Sequence, residues 1–314
     1  MTTIGIFPAS GKLGTSSYTS LLTQVPNDQV TLINRNPDKV PKEYVEKGVT
    51  LRQASYESSA EELQAAFANI NVLFLISFPS TEHLYRTKVQ IKALNAAQKA
   101  GVKHIFYSSL AFAPINAESA KAEVMAAHLD SEAHLRELVR TNPGLSWTSI
   151  REGLYSQSFP AYAGITDLKN PPSEIQFPQD LNGPGISWVG VEELGEASGL
   201  LVASYAKSPS AFEYVNKIVT LSGPKSWKWA ETIEVLSQAL GRDIAVREVS
   251  LKQYKSQPGI VAYFGTGETA KTLDSAWEAI CSGETAGVTT TLAEVLGREP
   301  KSFGTFIQES VKDK

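Results

Sequence analysis

The first half of the sequence alternates between short runs rich in β-branched or aromatic residues and longer amphipathic runs. The short runs cover residues 3–7, 30–34, 49–52, 72–76, 104–108 and 146–151. The helical patterns between them cover residues 13–23, 37–47, 59–67, 81–100 and 120–140. Strict alternation of strand and helix requires crossover connections, which are right-handed and make the strands parallel. We therefore predict an α/β fold, a doubly wound parallel sheet that begins with these six strands.

The second half has a different composition. Residues 159–190 contain five prolines, several glycines and no long periodic run, which is typical of an extended excursion. Helices are then predicted over residues 192–206, 228–240 and 269–282, and strands over residues 218–221 and 244–249. We predict a sheet domain over residues 1–152. Residues 153–314 form a smaller cap region, some elements of which return to the sheet.

Composition and charge exclude several classes of protein. The chain has 314 residues, 42% of them hydrophobic, which is enough to form a core and argues against disorder. A formal net charge of -4 gives no electrostatic reason to bind nucleic acid. There is one cysteine, and no apolar run long enough for a membrane span or placed as a signal peptide. A cytoplasmic protein without direct nucleic-acid or membrane contacts is expected.

The segment of residues 4–14 is the most informative in the chain. It runs from a strand through a turn of small residues into a helix, the context that a dinucleotide fingerprint requires. Helix N-terminal amides bind phosphate groups, and Ser10, Gly11, Lys12 and Leu13 would supply them. Proline stands at position 8, where this fingerprint has its first glycine. The alternative, a tight strand-to-helix turn without a ligand, remains open.

The end of the second predicted strand bears on the identity of the nucleotide. Arg35 stands about 20 residues after Gly14, where an acidic residue would bind an unmodified ribose. A guanidinium instead pairs with a 2′-phosphate, and Lys39 adds a second cation. The alternative is a solvated arginine at the start of a loop. We predict NADP(H) as the cofactor, bound by a Rossmann-type sheet.

Five motifs carry a resemblance to a known family. They are PASGKLG at residues 8–14, RNPDK at 35–39, VKHIFYSSLA at 102–111, SIREGLYSQSF at 149–159 and GISWVGVEELGEA at 185–197. In these motifs the chain resembles the NmrA-like family, atypical short-chain dehydrogenase/reductases that bind NADP(H), and more particularly its fungal branch. The resemblance covers most of the first 200 residues and weakens beyond about residue 223.

The resemblance implies roles for particular residues. The pyrophosphate would be held by Ala9, Ser10, Gly11, Lys12, Leu13 and Gly14, and the adenosine phosphate by Arg35 and Lys39. Near the adenosine half would lie Ser55, Tyr56, Ser77, Phe78 and Pro79. Near the nicotinamide would lie Tyr155, Ser156, Gln157 and Ser158. Ser108 ends a predicted strand, where ligands bind in open α/β sheets, and is a further candidate.

Two departures concern the chemistry. Many relatives carry a lysine, in a motif resembling HFDSK, that contacts the nicotinamide ribose, whereas this chain has Glu132 at that place. The sequence also contains no Tyr-x-x-x-Lys pair, so the proton donor of ordinary short-chain dehydrogenases is missing. Catalysis by that route is excluded.

The remaining catalytic candidates are a tyrosine and a helical pair. Tyr155, at the end of the sixth predicted strand, is the first choice for a proton donor, and a packing role is the alternative. His128 and Glu132 lie four residues apart on one helix face and would relay a proton or form a surface pair. No metal is expected, because no metal-ligand spacing occurs.

Function stays open between two classes. Aromatic residues of the second half would either line a pocket for a flat apolar substrate or form the core of the cap; they are Phe159, Tyr162, Trp188, Tyr254, Tyr263 and Phe264. The leading interpretation is an NADPH-dependent reductase of a small, largely apolar carbonyl, quinone, enone or imine. The alternative is a non-catalytic NADP(H)-sensing regulator that acts through a protein partner. A homodimer is a further open prediction.

Overall fold

The structure, a computed structural model, describes residues 2–178 and 181–312. It divides the chain into two compact units. The first contains the chain up to Leu110, Ala127–Glu152 and Glu192–Thr220. The second contains Ala111–Ala126, Gly153–Val191 and the chain from Leu221 onward. Both units are therefore assembled from segments that alternate along the sequence.

The first half of the chain forms strands and helices in alternation. The strands are β1 (Ile4–Phe7), β2 (Val30–Asn34), β3 (Thr50–Gln53), β4 (Val72–Ile76), β5 (His104–Leu110) and β6 (Ser146–Glu152). The helices are α1 (Gly11–Leu22), α2 (Lys42–Glu46), α3 (Ala60–Ala66), α4 (His83–Lys99) and α5 (Glu123–Thr141).

The second half contributes shorter elements. They are α6 (Phe159–Ala163), β7 (Glu174–Phe177), α7 (Val191–Lys207), β8 (Lys217–Leu221), α8 (Trp229–Leu240), β9 (Ala245–Glu248), α9 (Leu251–Lys255), α10 (Pro258–Phe264), α11 (Glu268–Cys281), α12 (Thr291–Leu296) and α13 (Phe303–Lys312). Single 3-10 turns lie at Asn27–Gln29, Pro37–Lys39, Ser156–Ser158 and Pro209–Ala211.

The central sheet has seven strands in the order β3-β2-β1-β4-β5-β6-β8. The pairs from β3 through β6 are parallel, and Ile4 lies opposite both Val30 and Val72. Every residue of β1, β2 and β4 is buried, as expected for parallel strands covered by helices on both faces. The predicted doubly wound, Rossmann-type sheet is confirmed, and β8 is the element that returns to it.

Differences from the predicted elements have local causes. The helix predicted over residues 37–47 is instead a 3-10 turn followed by the short α2. Pro41 separates them with ψ near 132°, because proline lacks an N–H and excludes the helical conformation from the preceding residue. The strand predicted over residues 244–249 is β9, which pairs with β7 in a separate two-stranded sheet. Within the described ranges, no helix combines the length and hydrophobicity needed to cross a bilayer.

Candidate functional site

The turn between β1 and α1 presents free amides to solvent. The N–H of Ala9 donates to the Ile33 carbonyl at 2.8 Å and that of Ser10 to the Pro8 carbonyl at 2.9 Å, which fixes the path of the turn. Ser10 is the N-cap residue of α1 but makes no side-chain capping bond. Ser10, Gly11 and Lys12 are exposed. The first amides of α1 are thus left for an anion, in the geometry that binds phosphate.

Two glycines shape this turn. Gly11 has φ near 72°, a conformation that side-chain-bearing residues rarely adopt, and a Cβ there would have nothing within 4 Å. At Gly14 a Cβ would lie 3.0 Å from the Pro8 carbonyl oxygen. Gly14 therefore allows the first turn of α1 to pack directly against the β1–α1 turn, and Gly11 leaves the approach to the amides open.

The end of β2 borders the same turn. Asn34, the last residue of β2, is 4% exposed, and its Nδ2 donates to the Ala9 carbonyl at 3.3 Å. Arg35 and Lys39 are exposed, and the Arg35 carbonyl accepts a hydrogen bond from Gln53 Nε2 at 3.2 Å. Asn34 therefore ties the turn to β2, while the cationic side chain of Arg35 remains free to meet a ligand.

Tyr56, which lies between β3 and α3, and two side chains of α4 hold the end of β4. Tyr56 is buried, donates its hydroxyl to the Ile76 carbonyl at 2.6 Å, and has a pKa raised well above its usual value by burial. Arg86 Nη2 donates to Ser77 Oγ at 3.2 Å, and Gln90 Oε1 accepts from the Phe78 amide at 3.0 Å. Of the candidates here, Pro79 is exposed and Ser55, Ser77 and Phe78 are half-buried, so these four, unlike Tyr56, retain solvent access.

The buried face of α5 is polar where it meets β5. Ser108 is buried, and the Tyr107 hydroxyl lies 3.1 Å from Nδ1 of His128. Burial, reinforced by the charges of Arg86 and Arg151, holds the pKa of His128 well below its usual value. His128 is therefore a neutral imidazole bonded to a buried phenol.

Glu132 lies one turn further along α5 in a buried ion pair. Its Oε1 accepts from Ser109 Oγ and Ser149 Oγ, both at 2.8 Å, and from Arg151 Nε at 3.1 Å. Its Oε2 accepts from Arg151 Nη2 at 2.7 Å, and both side chains are at most 1% exposed. His128 and Glu132 share a helix face, as the sequence predicts, but the face is internal and each residue bonds to strand residues.

Tyr155, Ser156, Gln157 and Ser158 belong to the second unit. Tyr155 is half-buried and forms an isolated bridge with Val189, and the Ser156 amide donates to the Val189 carbonyl at 2.8 Å. Gln157 Oε1 accepts from the Val191 amide at 3.2 Å. These bonds fix the path of the segment, and the Tyr155 side chain remains partly accessible to solvent.

Three of the six aromatic candidates in the second half form part of the core of the second unit. Phe159, Trp188 and Tyr254 are at most 1% exposed, and Trp188 stacks on Phe303 with ring centroids 5.7 Å apart. Tyr263 is 45% exposed and donates its hydroxyl to the Ile165 carbonyl. The core interpretation holds for the three buried rings.

A groove of about 830 Å³ starts at the β1–α1 turn. It runs from Gly11 and Lys12 along the hydroxyl-bearing face of α1 to Thr23, with Glu192 and Glu196 of α7 on its other side. Because Glu192 and Glu196 line one side, the groove does not favour an anion beyond the first turn of α1. Among the side chains that the structure describes, no group of three metal-ligating residues comes together.

Residues that the sequence analysis did not single out complete this region. Asn34, Arg86, Gln90, Ser149 and Arg151 each reach a candidate residue or the turn beside it. One signal was available: Ser149 and Arg151 alternate along β6, and polar residues on one face of a buried strand require polar partners.

Several similar proteins are enzymes by name. An NmrA-like family domain-containing oxidoreductase of Aspergillus flavus is 28% identical over 297 residues, 93% of this chain and 89% of that protein. Quinone oxidoreductase 2 of Escherichia coli is 28% identical over 248 residues, 79% of this chain and 78% of that protein. The crystal structure of Citrobacter sp. triphenylmethane reductase complexed with NADP(H) has the same fold, with a TM-score of 0.78, 23% identity and coverage of 98% and 99%. The model of the NmrA-like family matches residues 1–269, and the chain belongs to the NmrA-like family.

Proposed function

We propose that the protein is an NADPH-dependent oxidoreductase that reduces a small, largely apolar carbonyl, quinone, enone or imine. The observation that carries the proposal is the exposed N-terminus of α1 beside the exposed Arg35, with Asn34 joining the two. Amides and a guanidinium at adjacent points match the pyrophosphate and 2′-phosphate of one ligand.

The residues of the first unit fit NADP(H) in charge and in space. The amides of Gly11 and Lys12 would bind the pyrophosphate, and the missing side chain at Gly11 lets it approach; the Ser10 amide, which the sequence analysis included, is already bonded to the Pro8 carbonyl. Arg35 would pair with the 2′-phosphate and Lys39 would add positive charge. An acidic residue, which would repel that phosphate, is absent from positions 34 and 35.

The named relatives support a reductase and its class of substrate. One relative is named a quinone oxidoreductase and another an oxidoreductase of the NmrA-like family. The protein of similar fold that was crystallised with NADP(H) is named a triphenylmethane reductase. Quinones and triphenylmethane compounds both have unsaturated six-membered rings and are largely apolar, which fits the class that we propose here.

A bound nicotinamide would supply the hydride, so the chain's residues must orient the acceptor and provide a proton. We propose Tyr155 as the proton donor, because its ring is only half-buried. For His128 and Glu132 we propose positioning roles. Glu132 is occupied by Ser109, Ser149 and Arg151, and the imidazole of His128 stays neutral beside Tyr107.

The cofactor assignment is tested at Arg35. Arg35→Ala removes a charge-assisted contact made only to the 2′-phosphate, so NADPH should bind about 10- to 100-fold more weakly while NADH binding barely changes. Calorimetric titration of both cofactors measures this, with Lys42→Ala, an exposed lysine on α2, as the control. Equal losses for the two cofactors would contradict the assignment.

Turnover is tested at Tyr155. The assay is NADPH oxidation with a panel of quinones, enones, imines and aryl ketones. Tyr155→Phe keeps the ring, so NADPH affinity and melting temperature should hold while turnover falls by roughly 10²- to 10⁴-fold. Tyr263→Phe in the same unit is the matched control and should retain activity. If the wild type binds NADPH tightly but oxidises it with none of the compounds in the panel, the alternative of a sensing regulator is favoured.

A further inference from the structure

Asn34 carries a buried acceptor that the chain itself does not satisfy. Its Nδ2 donates to the Ala9 carbonyl at 3.3 Å, whereas its Oδ1 is buried and has no hydrogen-bond donor among the described residues. The amide orientation is fixed by chemistry, because the Ala9 carbonyl can accept but not donate. Oδ1 is therefore the atom of the Asn34 amide that lacks a hydrogen-bond partner, and it lies where the end of β2 meets the β1–α1 turn.

The place of Asn34 in the fold suggests what satisfies this oxygen. Asn34 is the last residue of β2 and precedes Arg35 directly. In dinucleotide-binding sheets an acidic side chain near this point accepts hydrogen bonds from the adenosine ribose. Asparagine keeps one acceptor oxygen and lacks the negative charge, so it is compatible with a neighbouring 2′-phosphate. Aspartate would also place a carboxylate against the Ala9 carbonyl, where a donor is required.

We propose that Asn34 Oδ1 accepts a hydrogen bond from the ribose 3′-hydroxyl of the adenosine half, which is the free hydroxyl beside a 2′-phosphate. The inference rests on the proposed NADP(H) function and assigns a second recognition residue to that site. Because Oδ1 is shielded from water in this structure, formation of this hydrogen bond requires a local shift of the atoms that cover it.

The experiment is a thermodynamic cycle between one side chain and one ligand group. Adenosine 2′,5′-bisphosphate and 3′-deoxyadenosine 2′,5′-bisphosphate are titrated by calorimetry into the wild type and into Asn34→Leu. For the wild type, loss of the 3′-hydroxyl should weaken binding by about 3- to 10-fold, the range of one hydrogen bond. For Asn34→Leu the same loss should cost less than about twofold.

The cycle separates ligand recognition from loop support. Asn34→Leu also breaks the bond to the Ala9 carbonyl, but a loosened turn weakens both ligands equally and leaves the wild-type ratio between them intact. Asn36→Leu, an exposed asparagine two residues along, is the control and should keep that ratio. If the wild type binds both ligands equally, the inference is overturned without recourse to a variant. It is also overturned if the wild-type ratio between the two affinities persists in Asn34→Leu.

Failure of the proposed function would look different. A wild type that binds neither bisphosphate overturns the NADP(H) assignment and the inference with it. Binding that depends on Arg35 but is insensitive to the 3′-hydroxyl overturns the inference alone.

Discussion

At the scale of single residues, Glu132 shows how a charge is kept inside the first unit. Two hydroxyls, of Ser109 on β5 and Ser149 on β6, donate to its carboxylate, and Arg151 on β6 supplies two further hydrogen bonds and the opposite charge. Glu132→Gln leaves the buried guanidinium without this counter-charge, so we expect the free energy of unfolding to fall by about 3–5 kcal/mol. Urea denaturation at neutral pH measures the change.

The control for this prediction lies on the same helix. Glu137 is exposed and pairs with Arg140 three residues away, at 2.6 Å. Exposed pairs of this kind contribute little, so Glu137→Gln should leave the unfolding curve nearly unchanged. If the two variants lost stability equally, the buried pair of Glu132 and Arg151 would not stabilise the fold more than an exposed pair does.

At the scale of elements, α1 and α7 pack unusually closely. A Cβ added at Gly199 would lie 2.5 Å from the Ser17 carbonyl oxygen, and one at Gly195 would lie 2.4 Å from Ser16 Cβ. Gly199→Ala must therefore push the helices apart, and we expect a loss of about 1–3 kcal/mol in stability. Ser204→Ala, an exposed change on α7, should be neutral in the same thermal or urea melt. A stable Gly199→Ala would mean that the helices separate without cost.

At the scale of the whole molecule, buried neutral histidines determine how stability depends on pH. His104 is fully buried against Tyr205, and burial lowers its pKa to about 3. The unfolded chain binds a proton there near pH 6.5 and the folded chain does not. Stability is therefore fully present above pH 6.5 and falls by about 1.4 kcal/mol per pH unit for each such histidine as the pH drops toward 3. The pKa of His128 is shifted in the same direction.

The window between pH 5.5 and 6.5 isolates this effect, because carboxylates titrate mainly at lower pH. Urea denaturation at pH 7.5, 6.5 and 5.5 should show a decline for the wild type. His104→Gln should reduce the decline between pH 6.5 and 5.5 by one group's share, about 1 kcal/mol, because the unfolded histidine is only partly protonated in this window. An unchanged slope would show that His104 is protonated in the folded protein.

The sequence predicts the strands of the first half closely because each is a short buried run between helical patterns, and β2 and β4 have the predicted limits. It does not predict β7 or α9, α10 and α12, because elements of four to seven residues contain too few turns or alternations to form a pattern. These short elements are ordered by packing with residues that are distant in the sequence.

The same limit applies at the candidate site. The β1–α1 turn and Arg35 can be predicted as site residues from the sequence, because their chemistry depends on residues that are close together along the chain. The ion pair of Glu132 and Arg151 joins residues 19 positions apart across a helix and a strand, so it depends on which face of α5 turns inward. The role of Asn34 depends on a carbonyl 25 positions earlier.

The contact between α1 and α7 also has a consequence for biosynthesis. Ser16 and Ser20 donate their hydroxyls to carbonyls of Glu192 and Glu196, each 176 positions later. The ribosome therefore synthesises the β1–α1 turn, our proposed nucleotide-binding turn, long before it synthesises α7, the helix that packs beside α1. Such long-range contacts form late and slow folding. The nascent chain should thus acquire a fully supported turn only after residue 220 has emerged, when the last segment of the first unit is available.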